Sequence, residues 1–543
     1  MTASQLAESV ATAGPPKISR GRTVGVVSIL TVVVAALGYF REATLAAQFG
    51  LSRTMDAYFA AILVPTTAYM VLIAGTLSPV FISILLQDSI SQNPEKLSET
   101  FSVVTNFVLI ILGGIAGCAI ITAHKWLVLL FPGFDSTTVA MTKSLIEIIF
   151  PSVIFVALAG ILTAVLNGFN RFALASITPA LSSVTVIVAA LIAHGSHAIY
   201  IVGLGTAIGF VLQGMLLVPA TAALGIRYRF LFRFRHPAIA SVVRLGGPLF
   251  LYLVVANGAV FLERNLASQI SQGAVSTLTY SMRLFAIPAN FLAAPLAIVS
   301  YPHFAREATQ EGHGDLCNQV SRLFRLVLFL FLPITVWTVL NVLPITRLLY
   351  ERGQFQLGDS IVTSRTLMFY SVGILPNALG IVLLRCLYAV QDTVTPLVAE
   401  SINLVFYALT AIFLTRQFGI EGLAFTRGLS FFLVATILGL VVWRKKHLLI
   451  MDASLFLFVL RTVAATAIMG LASWLCLHFW HSSFDSGKML TRAAILIGML
   501  IVSGIVFLGI ARMLGLEEST QIVDAVWAMC VPSRFLLQKE TAN

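Results

Sequence analysis

The feature that most constrains this chain is a series of apolar runs too long and too poor in charge for a water-soluble core. They follow one another from about Val24 to Leu514 with short polar breaks. Each is long enough to cross a hydrocarbon layer of about 30 Å, which takes about 20 helical residues. Only 10% of the 543 residues are charged and 58% are hydrophobic, whereas soluble domains carry about 25% charge. In a bilayer every backbone N–H and C=O must find a partner within the protein, which leaves helices or closed barrels as spanning structures. Continuous apolar runs of this length read as helices. An all-α polytopic membrane protein is expected, with no soluble domain of ordinary size.

Breaks at polar, Gly or Pro clusters give about 14 transmembrane helices. Six lie near 24–49, 56–87, 101–123, 138–165, 173–194 and 199–223. Six more lie near 241–270, 275–301, 321–345, 361–387, 395–415 and 420–443, and a last pair near 455–479 and 490–514. Residues 1–22 carry Lys17, Arg20 and Arg22 with no small-residue cleavage site after them, which predicts a retained tail.

The net charge of +11 would suit nucleic acid, but its distribution gives another cause. Arg227, Arg229, Arg233 and Arg235 crowd one loop, and Arg444, Lys445 and Lys446 another. With a cytoplasmic N-terminus these loops fall on the cytoplasmic side with Lys96, Arg171 and Arg306. The opposite loops hold fewer cations, among them Arg53, Lys125, Arg347, Arg352, Arg416 and Lys488. The basic excess is therefore a topology signal. Both termini are expected in the cytoplasm, and no nucleic-acid partner is expected.

The chain repeats itself. A shift of 223 residues aligns Arg41 with Arg264, Gly50 with Gly273, Pro65 with Pro288, Pro79 with Pro302 and Phe81 with Phe304. Arg, Gly and Pro are the residue types that mark shared charges and shared helix breaks. Six helices separate equivalent positions, and an even number preserves orientation, so two parallel-repeat six-helix bundles plus a terminal helix pair are expected. The expected organisation is a tail at 1–22, a bundle at 23–223, a basic loop at 224–240, a second bundle at 241–443, a terminal pair at 455–514 and a C-terminal tail at 515–543. That last tail has the composition of a surface helix or a frayed end.

Against this apolar background the charges inside spans stand out. The stretch "ALGYFREATLAA" places Arg41 and Glu42 in the body of the first run, where a charge costs about 2.5–3.5 kcal/mol on insertion scales. Such residues are paired or functional. The repeat suggests that Arg41 and Arg264 face a wet cavity from the two halves.

Cys118, Cys317, Cys386, Cys476 and Cys530 have no short pairing, and the nine histidines have no metal-ligand spacing. No disulfide, metal or cofactor is expected. The longest loops, of about 15 to 20 residues, leave little room for a catalytic constellation, so the chain is not expected to be an enzyme. Cationic intramembrane residues also argue against an exporter of cationic drugs. Other singular residues have structural readings. Arg352 with Gly353 suits a loop, and Arg385 and Asp392 suit helix caps. The Gly113/Gly117 and Gly205/Gly209 spacings suit close helix packing.

Several stretches resemble the MurJ (MviN) family of the MOP flippase superfamily. They are "FREATLAAQFGLSRTMDAYFAAILVP", "LERNLASQISQGAVSTLTYSMRLFAIP", "LLYERGQF" and "LRCLYAVQDTVTP". The resemblance runs through nearly the whole chain and implies a MOP-type fold. It also implies a flippase that moves an undecaprenyl-pyrophosphate-linked glycan, foremost lipid II, to the outer leaflet by alternating access. By the family's motifs, Arg41, Arg264 and Arg283 would bind substrate, with Glu42, Asp56 and Glu263 as supporting acidic residues. Asp56 also lies near a helix start, where an N-cap is the competing role. The implied partners are the lipid-linked glycan pyrophosphate, membrane lipids and cell-wall synthesis machinery. The implied location is the bacterial cytoplasmic membrane. The family commonly has further arginines where this chain has Ala35, Tyr69 and Met70. Two alternatives therefore stay open: a flippase for another polyprenyl-linked oligosaccharide of the exopolysaccharide or O-antigen type, and an inert scaffold of the same fold.

Overall fold

The computed structural model describes residues 20–68, 94–169, 171–231, 233, 236–308, 314–450 and 452–521. Tyr69 and Met70, the N-terminal tail before Arg20 and the C-terminal tail beyond Gln521 lie outside the described residues, as does the expected span 56–87 after Ala68. Among the described residues the protein is helical and contains no β-strand. Ten helical segments are long and apolar enough to cross a membrane. A further pair, Leu357–Ser371 and Ile374–Ala389, is bent by 46° and makes an eleventh if it is one span. This is a multi-pass membrane protein.

The chain divides into two compact units. One takes in the residues up to Gln48, Ala57–Leu129 and Phe134–Val254. The other takes in Phe49–Asp56, Leu130–Gly133 and the chain from Val255 onward. The helices are α1 (Arg20–Phe49), α2 (Arg53–Ala68), α3 (Pro94–Ile121), α4 (Ala123–Leu130), α5 (Ser136–Ile149), α6 (Val153–Gly168), α7 (Phe172–Ile177), α8 (Pro179–Ile192) and α9 (Ala198–Ala222). There follow α10 (Pro237–Ser268), α11 (Ala274–Pro288), α12 (Ala294–Glu307), α13 (Gly314–Leu340), α14 (Val342–Tyr350), α15 (Leu357–Ser371), α16 (Ile374–Ala389), α17 (Val394–Leu440), α18 (Ala453–Ser486) and α19 (Met489–Met513).

The repeat read from identities recurs in the backbone. Gly50 and Gly273 are both left-handed, with φ of 59° and 83°, a region that L side chains enter at a cost and glycine does not. A Cβ at Gly50 would lie 2.8 Å from the Gln354 carbonyl oxygen, so the fit is steric as well. Gly195 and Gly419 form a second left-handed pair. Gly419 is the one non-helical residue inside α17, and it separates the two spans expected at 395–415 and 420–443. Pro288 closes α11, and a π-helical stretch, Ala289–Ala293, bends the chain into α12; proline removes a helix donor and makes such bends.

In the first unit, Phe101, Val104 and Val108 of α3 pack with Val156, Leu162 and Val165 of α6 and Leu217 of α9. In the second, Phe329 of α13 meets Phe507 of α19 with ring centroids 4.8 Å apart, within a core that includes Phe458 and Met469 of α18. A clamp also ties the terminal pair to α14. Glu351 accepts from Arg347 Nε at 2.8 Å and Arg492 Nη1 at 2.9 Å, and both guanidinium groups lie over the Phe484 ring at 5.5 and 5.7 Å.

Arg352 and Asp392 have the loop and cap roles expected of them, whereas Arg385, expected as a cap, lies within α16. Arg352 donates to the Leu348 carbonyl at 2.7 Å beside left-handed Gly353. Arg385 lies over the Tyr301 ring. Asp392 lies outside the spans and accepts from the Thr395 N–H at the start of α17 and from Lys446 at 3.0 Å. Partial burial acts to raise its carboxyl, but the bonds from Thr395 and Lys446 outweigh it and hold the group below the usual carboxylate range.

The two glycine spacings differ in consequence. A Cβ at Gly205 would lie 2.9 Å from the Thr185 carbonyl oxygen, and one at Gly209 would lie 2.7 Å from Ser182 Cα, so α8 and α9 touch through glycine. Gly117 has open space around it. Gly209→Ala should therefore destabilise the solubilised protein by about 1–3 kcal/mol through overpacking. Gly117→Ala should melt at or slightly above the wild-type temperature, since alanine is the better helix former. Thermal unfolding of the two variants side by side checks the contrast.

Candidate functional site

Arg41 and Glu42 lie on α1 within the membrane-spanning segment Ile29–Phe49. Consecutive helical side chains point about 100° apart, yet the long arginine reaches back, and its Nη2 donates to Glu42 Oε1 at 2.7 Å. Glu42 is 1% exposed and Arg41 20% exposed. The carboxylate is thus the buried partner, and the guanidinium retains an open side. Arg41 Nε is buried with no hydrogen-bond acceptor among the described residues. A guanidinium has five N–H donors, so the pair with Glu42 leaves donor capacity for a ligand.

Asp56 has a different task. Its own helix starts on Ser52, whose hydroxyl accepts from the Met55 N–H at 3.3 Å. The Asp56 carboxylate instead accepts from the N–H of Gly273 at 2.6 Å and from the N–H and hydroxyl of Ser276 at 2.8 Å each. These amides belong to the first turn of α11, whose initial N–H groups have no partner within the helix. Asp56 is a cap, but for a helix 217 residues further along the chain.

Glu263 and Arg264 are adjacent on α10 and do not pair with each other. Arg264 donates to the Val275 carbonyl at 2.8 Å. Glu263, 3% exposed, accepts from the Tyr370 hydroxyl of α15 and lies 3.3 Å from Arg427 Nη2 of α17. Arg427 is itself buried, with the rings of Tyr407 and Phe431 at 5.3 and 5.7 Å from its guanidinium carbon. The sequence carries a signal for this arginine that is not used above: it is a cation inside the expected span 420–443. Arg283 lies exposed on α11. The structure therefore joins Arg41 to Glu42, Glu263 to Arg427, and Asp56 to the α11 amides.

A family profile described as "Lipid II flippase MurJ" matches residues 45–495. Among relatives, the lipid II flippase MurJ of Burkholderia cenocepacia is 25% identical over 509 residues, covering 90% of this chain and 96% of that protein. The probable lipid II flippase MurJ of Vibrio cholerae is 27% identical over 512 residues, covering 91% and 95%. Among solved structures, a lipid II flippase MurJ in an inward closed conformation superposes with a TM-score of 0.76 at 22% identity, over 90% of this chain and 99% of that one. An inward-facing multidrug resistance MATE family transporter of the MOP superfamily gives 0.63 at 13% identity, over 78% and 98%. The fold is thus shared well beyond sequence similarity.

The partner found for Glu263 makes a test. Removing one member of a buried ion pair costs about 3–5 kcal/mol because a charge is left uncompensated. Arg427→Met should lower the melting temperature markedly. Arg427→Met with Glu263→Gln should regain most of the loss, since Gln keeps an acceptor for Tyr370 and carries no charge. A single variant that melts like wild type would show that Arg427 does not hold Glu263.

Proposed function

The chain belongs to the lipid II flippase MurJ family, and from that premise we propose that it moves lipid II from the cytoplasmic to the outer leaflet. The substrate headgroup is a pyrophosphate-linked glycan with about two negative charges, and an unpaired charge in an apolar medium is prohibitively costly. A carrier must supply cations in a water-accessible cavity, and a planar guanidinium fork suits phosphate oxygens. Arg41, Arg264 and Arg283 are assigned that role. The observation that carries it is Arg41, a partly exposed cation inside a membrane-spanning helix with donor capacity beyond its bond to Glu42.

Glu42 holds Arg41 when no headgroup is present, and Asp56 and Glu263 hold the surrounding helices. The two repeated halves suit alternating access. The surplus of basic loops on one side supports an orientation with both termini in the cytoplasm, and membership of the family supports the bacterial cytoplasmic membrane as the location. Delivery of lipid II at the outer surface implies contact with the cell-wall synthesis machinery that consumes it.

Depleting the protein in a host with no second flippase should accumulate lipid II on the cytoplasmic leaflet, because synthesis continues while the headgroup cannot cross. Mass spectrometry of extracted lipids reads the pool, and an unchanged pool would sink the proposal. A different accumulated polyprenyl-linked glycan would reassign the substrate.

The cations make a separate test. Arg283→Ala and the double variant Arg41→Ala/Glu42→Gln should each reduce flipping at least tenfold at normal membrane abundance, because the double variant leaves no stranded carboxylate. Arg41→Lys should be partly active, keeping charge without the fork. Recovery of flipping in the double variant would show that Arg41 serves only to neutralise Glu42.

A further inference from the structure

The basic loop after α9 is not loose chain. Residues Arg227 to Leu231 lie extended along the i, i+4 ridge of α3. The Arg227 N–H donates to Ser98 Oγ at 3.1 Å and the Arg229 N–H to Ser102 Oγ at 2.9 Å, while Asn106 Nδ2 donates to the Leu231 carbonyl at 3.0 Å. The registers agree, because two extended residues advance about 6.6 Å and four helical residues about 6.0 Å. The Tyr228 hydroxyl adds a bond to Asn106 Oδ1 at 2.5 Å. Ile226 pins the start of the strap in the core beside Leu97 and Phe101.

Its position is the informative part. The membrane-spanning segment of α3 is Glu95–Ile121, so Ser98, Ser102 and Asn106 lie in its first turns. Non-helical backbone beside a spanning helix needs partners for its N–H and C=O groups, and the three polar side chains supply them. The same ridge continues as Ile110, an exposed apolar residue like its neighbour Ile111. The strap therefore lies along the first turns of a span-length helix, on a ridge that continues into exposed apolar side chains. It presents exposed Arg227 and Arg229 together with Tyr228, 51% exposed, and Phe230, 73% exposed. Arginines and aromatic rings are the side chains suited to the headgroup level. Arg233 is paired with Glu99, but no carboxylate pairs with Arg227 or Arg229 among the described residues.

We infer that the Arg227–Leu231 strap is a binding site for anionic phospholipid headgroups of the surrounding bilayer, separate from the arginines assigned to the transported substrate. Held backbone fixes the two guanidinium groups at headgroup depth, where each can fork a phosphodiester, and the aromatic rings lie at the chain–headgroup boundary. In the proposed orientation this is the cytoplasmic leaflet.

The test uses the full chain in micelles containing equal phosphatidylglycerol and phosphatidylethanolamine, with retained lipids counted by native mass spectrometry. Wild type should retain phosphatidylglycerol preferentially. Each interfacial arginine is worth about fivefold toward an anionic surface, so Arg227→Gln/Arg229→Gln should cut the preference about 25-fold. Ser102→Val/Asn106→Leu keeps both arginines but unfastens the strap, and should also weaken the preference while thermal unfolding shows the bundle folded. Arg41→Ala/Glu42→Gln, which strands no carboxylate, should leave the preference intact. A wild-type preference in either strap variant, or its loss in the folded Arg41→Ala/Glu42→Gln variant, would overturn the assignment. None of these readouts depends on flipping, so the result stands apart from the transport proposal.

Discussion

Polar groups removed from water must be satisfied by the chain itself, and the details of this protein follow from how that requirement is met at each place. An unsatisfied amide or charge in hydrocarbon costs several kcal/mol. Where a helix begins at Gly273 its orphan amides are closed by Asp56; where extended chain runs along α3, a row of short polar side chains receives it. Where Glu263 is buried, Arg427 and Tyr370 converge on it from different helices. Each solution joins segments distant in sequence, so satisfying the backbone and the charges also dictates which helices are neighbours.

The same requirement sorts the cations into two kinds. Arg427 is enclosed by aromatic rings and a carboxylate, so its charge is consumed by the fold. Arg41 keeps an open side and buries its carboxylate partner instead. A ligand can compete only for the second kind. An intramembrane arginine is therefore a functional candidate by virtue of what remains open around it, and span position alone does not separate Arg41 from Arg427.

Much of this was legible in the sequence because it is local or periodic. Span-length apolar runs, glycines and prolines at helix breaks and an arginine beside a glutamate each leave a mark within a few residues. The family was legible from ordered motifs. What was not legible depends on distant pairing: Asp56 lies near a helix start and reads as its own cap, and nothing nearby shows that the amides it serves belong to Gly273 and Ser276. Glu263 next to Arg264 reads as a pair, but neighbours on a helix diverge, and the carboxylate finds its cation on α17. The polar row Ser98, Ser102 and Asn106 has the spacing of a helix ridge, yet its occupant lies more than a hundred residues later.

The clamp around Phe484 bears on how motion in this protein can be observed. Glu351 is shared by an arginine from α14 and one from α19, and the ring between them comes from α18. With the aromatic packing of Phe329 on Phe507, the last two helices are fastened to the second unit at more than one level along their length. They are passengers of that unit. A fluorophore or spin label on their outer surfaces would report its movement without perturbing the arginines assigned to the substrate, making the terminal pair a natural handle for spectroscopy.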